Sequence, residues 1–183
     1  MILLTTSRRP TQLMRTFCRD LARSIPNVVR INRGKLSLDG IAEKALEFDA
    51  DRVIIIDRWN TRPAKIEPFR MGPAGLTPVP PLIYAASIGL QREFEAKMKS
   101  FKSLSITTSA ENTSEVLKIA ESLSSFLKIP LLSMEDAASK HQGSMHISSN
   151  ALQRTQITFV LLPKKIEVGP RITVSHVSWE TPK

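Results

Sequence analysis

Residues 2–31 read ILLTTSRRPTQLMRTFCRDLARSIPNVVRI, and residues 104–132 read LSITTSAENTSEVLKIAESLSSFLKIPLL. Each begins with an apolar run that ends in Thr-Thr-Ser, first at Thr5-Thr6-Ser7 and again at Thr107-Thr108-Ser109, an offset of 102 residues. In both, an amphipathic stretch follows. From Thr11 to Ile25 the apolar residues Leu13, Met14, Phe17, Leu21 and Ile25 recur at helical spacing, with Pro10 near the first turn, so strand–turn–helix is predicted.

Further elements follow outward from this pair. NVVRI reads as a second strand and NRGK as a loop in which Gly34 supplies a positive φ. Ser37 or Asp39 caps a helix that runs to about Phe48, and RVIIID is a β-branched core strand. The segment NTRPAKIEPFRMGPAGLTPVPP is rich in turn residues, with one strand around Lys65 to Arg70. LIYAAS, TQITFVLLPKK and RITVSHVSW complete the strands. The predicted fold is α/β, with two similar strand–helix–strand lobes produced by internal duplication, which fits the repeat better than one continuous sheet. Lobe 1 covers about 1–89, a helical linker about 90–101, and lobe 2 about 102–183 of a single domain.

The chain has 183 residues, 42% hydrophobic and 23% charged, which is ordinary for a globular protein. No apolar run reaches the roughly 18 residues of a membrane span. The lone cysteine, Cys18, forms no internal disulfide, so a reducing cytoplasmic setting is expected. The net charge of +9 points to a polyanionic partner. Its distribution is uneven: residues 1–35 hold eight bases (Arg8, Arg9, Arg15, Arg19, Arg23, Arg30, Arg33, Lys35) against Asp20, while the rest holds 18 bases and 16 acids.

Arg15, Arg19 and Arg23 fall at i, i+4 and i+8, within a stripe about 80° wide opposite the apolar face. Like charges at this spacing repel by a few tenths of a kcal/mol per pair, and cations near a helix N-terminus oppose its dipole. The stripe does not stabilise its own helix, whereas a phosphate backbone turns the repulsion into attraction. The second copy has TTSAENT in place of TTSRRPT, and a helix of mixed Glu, Lys and Ser. A requirement of the fold would be met in both copies; the arginines occur in one. With Arg8, Arg9, Arg30, Arg33 and Lys35 at strand C-termini or the helix start, they are expected on one edge of lobe 1, the edge at which open α/β sheets bind ligands.

TTSRRPT followed by PNVVRINRGK resembles the opening signature of the Brix domain, most closely its small-subunit-processome branch, which acts in pre-rRNA processing. IEVGPRITV is similar to the Gly-Pro-Arg strand that closes Brix domains, and MGPAG resembles weakly the mid-domain Gly-Pro motif, without the aromatic residues often found there. The resemblance covers almost the whole chain and is closest to the bare-domain archaeal form. It implies a ribosome biogenesis factor that binds ribosomal RNA or its precursor, in company with other assembly proteins, in the cytoplasm or, in a eukaryote, the nucleolus. It also implies halves similar to the anticodon-binding domains of class II aminoacyl-tRNA synthetases. Carried over residue by residue, it marks Thr5, Thr6, Ser7, Arg8, Arg30, Asn32, Arg33, Gly34 and Arg171.

Catalysis finds little support. His141 and His146 lack a second cluster for zinc, His176 lies in an alternating strand, and Ser7 has no evident base. Asp57 is a lone carboxylate, and no glycine-rich phosphate loop with lysine is present. No cofactor or metal is expected. Aromatic residues are few, so recognition of RNA shape and backbone is expected, with Trp59 in DRWNTRPAK the best stacking candidate. Two alternatives are a protein-interaction scaffold within a ribonucleoprotein particle and an α/β enzyme acting on a phosphorylated small molecule.

Overall fold

The computed structural model describes residues 1–97 and 100–180. The opening stretch forms β1 (Ile2–Thr6), α1 (Gln12–Ser24) and β2 (Val28–Arg30). Every residue of β1 is buried, as expected of a strand flanked by parallel neighbours with helices on its faces. Thr11 caps α1 by accepting the Met14 N–H, and Met14, Phe17, Cys18 and Leu21 fill one face of the helix. Burying each large apolar side chain contributes about 1.5–3 kcal/mol. Ser37 then caps α2 (Leu38–Glu47), accepting the Gly40 N–H. The chain continues through β3 (Arg52–Trp59), β4 (Arg62–Gly72), β5 (Gly75–Pro78) and β6 (Leu82–Gly89).

The second half comprises β7 (Leu104–Thr108), α3 (Ser114–Leu127), α4 (Met134–Lys140), β8 (Gly143–Ser149), β9 (Thr155–Leu161), β10 (Ile166–Glu167) and β11 (Arg171–Ser178). The main path of the sheet runs β2-β1-β3-β4-β6-β11-β9-β8-β7, with β5 on β4 and β10 on β9. This corrects the expectation of separate lobe sheets: β6 and β11 pair antiparallel from Leu82↔Ser178 to Gly89↔Arg171 and join the halves into one sheet. Edge strands carry unpaired backbone groups, and here each half satisfies the edge of the other.

Strand polarity follows one scheme on either side of that joint. In the first half β1 runs parallel to β2 and β3, and β3, β4 and β6 alternate antiparallel. In the second β7 runs parallel to β8, with Leu131 bridging Ile106 where β2 would lie, and β8, β9 and β11 alternate antiparallel. α1 and α3 share one apolar core, in which Phe17 and Leu21 join Val116, Ile119 and Phe126 over sheet residues such as Ile54 and Phe159. On the opposite face α2 packs on Leu3, Val53, Ile55 and Phe69, and α4 packs on Val160 and Leu162.

Two local expectations change. The helical linker over 90–101 is a single 3₁₀ turn, Gln91–Glu93; Met98 and Lys99 lie outside the described residues. Tertiary anchors decide this path: the Gln91 N–H donates to Asp20 and its side-chain amide to Ser24, while the Phe94 ring fills the place a Cβ on Gly169 would need. The proline-rich segment holds β4, an eleven-residue strand, and β5. Pro68 lies beyond the part of β4 that pairs with β6 and before the part that pairs with β5, so its missing N–H costs little there.

Arg52 ties the halves together. Buried at the start of β3, it donates to the Phe126 carbonyl at 2.5 Å and to Asp51 at 3.0 Å, satisfying a carbonyl in the last turn of α3. Asp51 also pairs with Lys128. Burial raises the Asp51 pKa, but the hydrogen bond and charge of Arg52, aided by Lys128, prevail and bring it down to about 2.

Candidate nucleic-acid interface

The C-terminal ends of β1, β2 and β3 lie beside the start of α1, and the Thr-Thr-Ser turn is built into them. Thr5 is fully buried and its hydroxyl donates to the Ile31 carbonyl at 3.1 Å. Thr6 is also buried, and the Ser7 N–H donates to Ile56 at 2.8 Å. Of these two residues carried over above, Thr5 has its hydroxyl taken up inside the framework, whereas Thr6 borders the groove beyond the turn. The Ser7 hydroxyl oxygen is buried and has no hydrogen-bond partner among the described residues.

Four arginines converge on the groove beyond this turn, a cleft of about 360 Å³ lined by Arg8, Arg15, Arg30 and Arg33 together with Ser7, Asn32 and Gly34. Arg8 and Arg33 donate through Nε to the same Leu36 carbonyl, at 3.3 and 2.7 Å. Arg15 donates to the Pro10 carbonyl and Arg30 to the Asn32 side chain. Gly34 turns the β2–α2 loop at φ +53°, a conformation that strains a side-chain-bearing residue. Arg33 is only 9% exposed. Burial lowers its pKa, the charge of Arg8 lowers it further, and Asp57 opposes them. The ion pairs found among the described residues involve none of these four arginines.

A second groove, of about 470 Å³, lies on the other flank of α1 and takes Arg19 and Arg23, joined by Arg92 and Lys97 from the connection after β6. Asp20 forms part of its wall, buried, accepting the Gln91 N–H at 3.0 Å. Burial raises the Asp20 pKa; the Gln91 hydrogen bond and the charges of Arg23, Arg19 and Arg92 pull it down without prevailing. The arginine stripe thus divides, Arg15 to one groove and Arg19 with Arg23 to the other. Arg92 and Lys97 were not legible in the sequence, because only the path of the connection brings them to α1.

Arg9 and Lys35 are exposed near the first groove without lining it. Arg171 stands apart from both grooves: it pairs with Glu167 through both Nε and a terminal nitrogen and lies over the Phe94 ring at 5.2 Å. The Gly-Pro-Arg motif forms a joint, since the Gly169 carbonyl accepts the Ser24 hydroxyl and the Gln91 amide. In the second half the Thr-Thr-Ser framework recurs without the cations. Thr107 is fully buried and hydrogen-bonds Ser144 and His146, and Ala110, Glu111, Leu117, Glu121 and Ser125 stand at the positions of Arg8, Arg9, Arg15, Arg19 and Arg23.

The described residues contain no cluster of three or more His, Cys, Asp or Glu side chains that could hold a metal ion. Burial pushes the Cys18 thiol up to about 12, with Arg30 opposing weakly, which leaves it a poor nucleophile. No helix among the described residues is long and apolar enough to cross a membrane.

No family model matches the chain. It is similar, however, to a probable Brix domain-containing ribosomal biogenesis protein of Methanopyrus kandleri, with 28% identity over 92% of this chain and 90% of that one. The chain is a homologue of the Brix-domain proteins. A second Brix protein of the same description, from Pyrococcus horikoshii, is 34% identical over 53% of this chain and 43% of its own length. Two solved structures share the fold of this Brix homologue. One is a probable ribosomal biogenesis protein of Aeropyrum pernix, with a TM-score of 0.77 at 22% identity, covering 94% of each chain. The other is an archaeal Imp4-like protein, with a TM-score of 0.66 at 20% identity over 97% of this chain and 99% of that one.

Proposed function

We propose that this Brix homologue is a non-enzymatic ribosome biogenesis factor that binds ribosomal RNA or its precursor through the two grooves flanking α1. The observation that carries the reading is the first groove. Four guanidinium groups meet there without a carboxylate partner among the described residues, and one of them, Arg33, is buried. Burying a cation without an ion-pair contact is costly, Asp57 offsets that only from a distance, and an incoming phosphate does so through charge-assisted, often bidentate, hydrogen bonds. Two cationic grooves on one helix suit an extended phosphate backbone better than a single phosphorylated metabolite. The names of the homologues, all ribosomal biogenesis proteins, point to ribosome assembly, and other assembly proteins are the expected company. The cytoplasm is the expected location. The matching strand order of the halves supports descent from one duplicated unit, with lobes at about 1–89 and 102–183, and the likeness of each to synthetase anticodon-binding domains belongs to the same proposal.

Affinity for a structured rRNA fragment, measured over a range of salt concentrations, tests the reading. With seven arginines and Lys97 in the two grooves, a log–log slope of about −6 to −7 is expected if each neutralises one phosphate. Affinity indifferent to salt, or a nucleotide or sugar phosphate bound as tightly as RNA, would contradict it.

A further inference from the structure

The outer face of the sheet is covered at its two ends, by α2 and α4, and neither helix packs on β6 or β11. An aromatic cluster occupies that middle region. Tyr84 of β6 and His176 of β11 are cross-strand partners, with rings stacked at 4.2 Å and 12°. Trp59, at the end of β3, meets both edge-on, at 4.6 and 4.9 Å. These are the only tyrosine and one of the two tryptophans of the chain. His176 is exposed, and Trp59 and Tyr84 are partly buried with some surface open to solvent. A cation borders the cluster: Arg62 lies over the Trp59 ring at 5.7 Å. Glu67, the nearby acid of β4, is taken up by Lys65 at 2.9 Å.

We infer that this cluster is a stacking platform for a base of single-stranded RNA, an inference that rests on the RNA-binding reading above. Flat aromatic faces with a bordering guanidinium are the chemistry that holds unpaired bases, because every base offers a π-face and every nucleotide a phosphate. The platform also continues the arginine groove. The Ser7 N–H donates to Ile56 on β3, and Trp59 follows three residues later on the same strand, a rise of about 10 Å. A strand with a phosphate among Arg8, Arg15, Arg30 and Arg33 therefore has a direct path to the platform. A protein partner would be expected to need a broader apolar face, whereas here charged residues flank the rings.

Fluorescence separates these possibilities. In a Trp179→Phe background Trp59 is the sole indole, and it is titrated with a short oligouridylate and with the same oligomer lacking bases. The base-bearing oligomer should quench Trp59 saturably and bind about tenfold more tightly than the abasic one. With Trp179 left in place, Trp59→Leu should lose a similar factor with an unchanged salt slope, since no phosphate contact is removed, and Trp59→Phe should retain most of the affinity. Equal binding of both oligomers with unchanged Trp59 emission overturns the platform while leaving phosphate binding standing. Binding of neither oligomer, together with a failed salt test on structured RNA, overturns both readings. Quenching by a peptide and not by RNA assigns the face to a protein and also overturns the inference.

Discussion

The two strand–helix turns of this protein are built on one pattern and differ in one property. Thr5 and Thr107 are each fully buried. Thr11 and Thr113 each cap the following helix by accepting the N–H three residues on. Phe17 and Ile119, at matching positions, fill the same core. Between these shared positions the first turn and helix carry arginines, and the second carries Ala110, Glu111, Leu117, Glu121 and Ser125. What recurs does so because a strand must turn into a capped amphipathic helix. What does not recur is free to serve a ligand.

Paired substitutions break the shared part first. Phe17→Ala and Ile119→Ala should each destabilise strongly, by about 3–5 and 2–5 kcal/mol, because both leave cavities in one core. The caps come next: Thr11→Ala and Thr113→Ala should cost about 1 kcal/mol each. Denaturant unfolding checks all four. A loss confined to one half would show that the halves do not share a core.

A smaller effect sharpens the contrast at Asp20, whose counterpart at the same offset is Ser122. Its folded-state pKa is raised, chiefly by burial. Its favourable contribution is therefore complete below the unfolded value near 3.9 and declines as pH rises through the folded value. Asp20→Asn should remove that decline from a pH series of unfolding measurements and, by taking an acid out of the second groove, tighten RNA binding at neutral pH. Weaker binding in this variant would mean that the carboxylate itself serves recognition.

Periodicity and caps were legible wherever a segment is decided locally: β1, α1 and a cap at Ser37 or Asp39 follow from spacing and side-chain chemistry, and the structure selects Ser37. The joint between β6 and β11 was not, because antiparallel pairing across about 90 residues leaves no local mark. Around Pro63 the start of β4 read as turn, so the strand expected at Lys65 to Arg70 was too short, although the sheet tolerates prolines where no ladder N–H is needed. The arginine edge was legible as charge, yet its division into two grooves was not, since Arg92 and Lys97 join it through tertiary structure. Arg171 shows the converse: Glu167, four residues before it, holds the side chain that motif matching marked for RNA.

The central claim, that the arginines of α1 serve a phosphate backbone and not the fold, is tested most directly by giving α1 the residues of α3. A chain carrying Arg15→Leu, Arg19→Glu and Arg23→Ser is compared with the parent for unfolding free energy and for rRNA affinity over a salt series. The account predicts stability within about 0.5 kcal/mol of the parent, weaker RNA binding, and a salt slope shallower by about 2 to 3 units. A folded variant with parental RNA affinity and slope would contradict it.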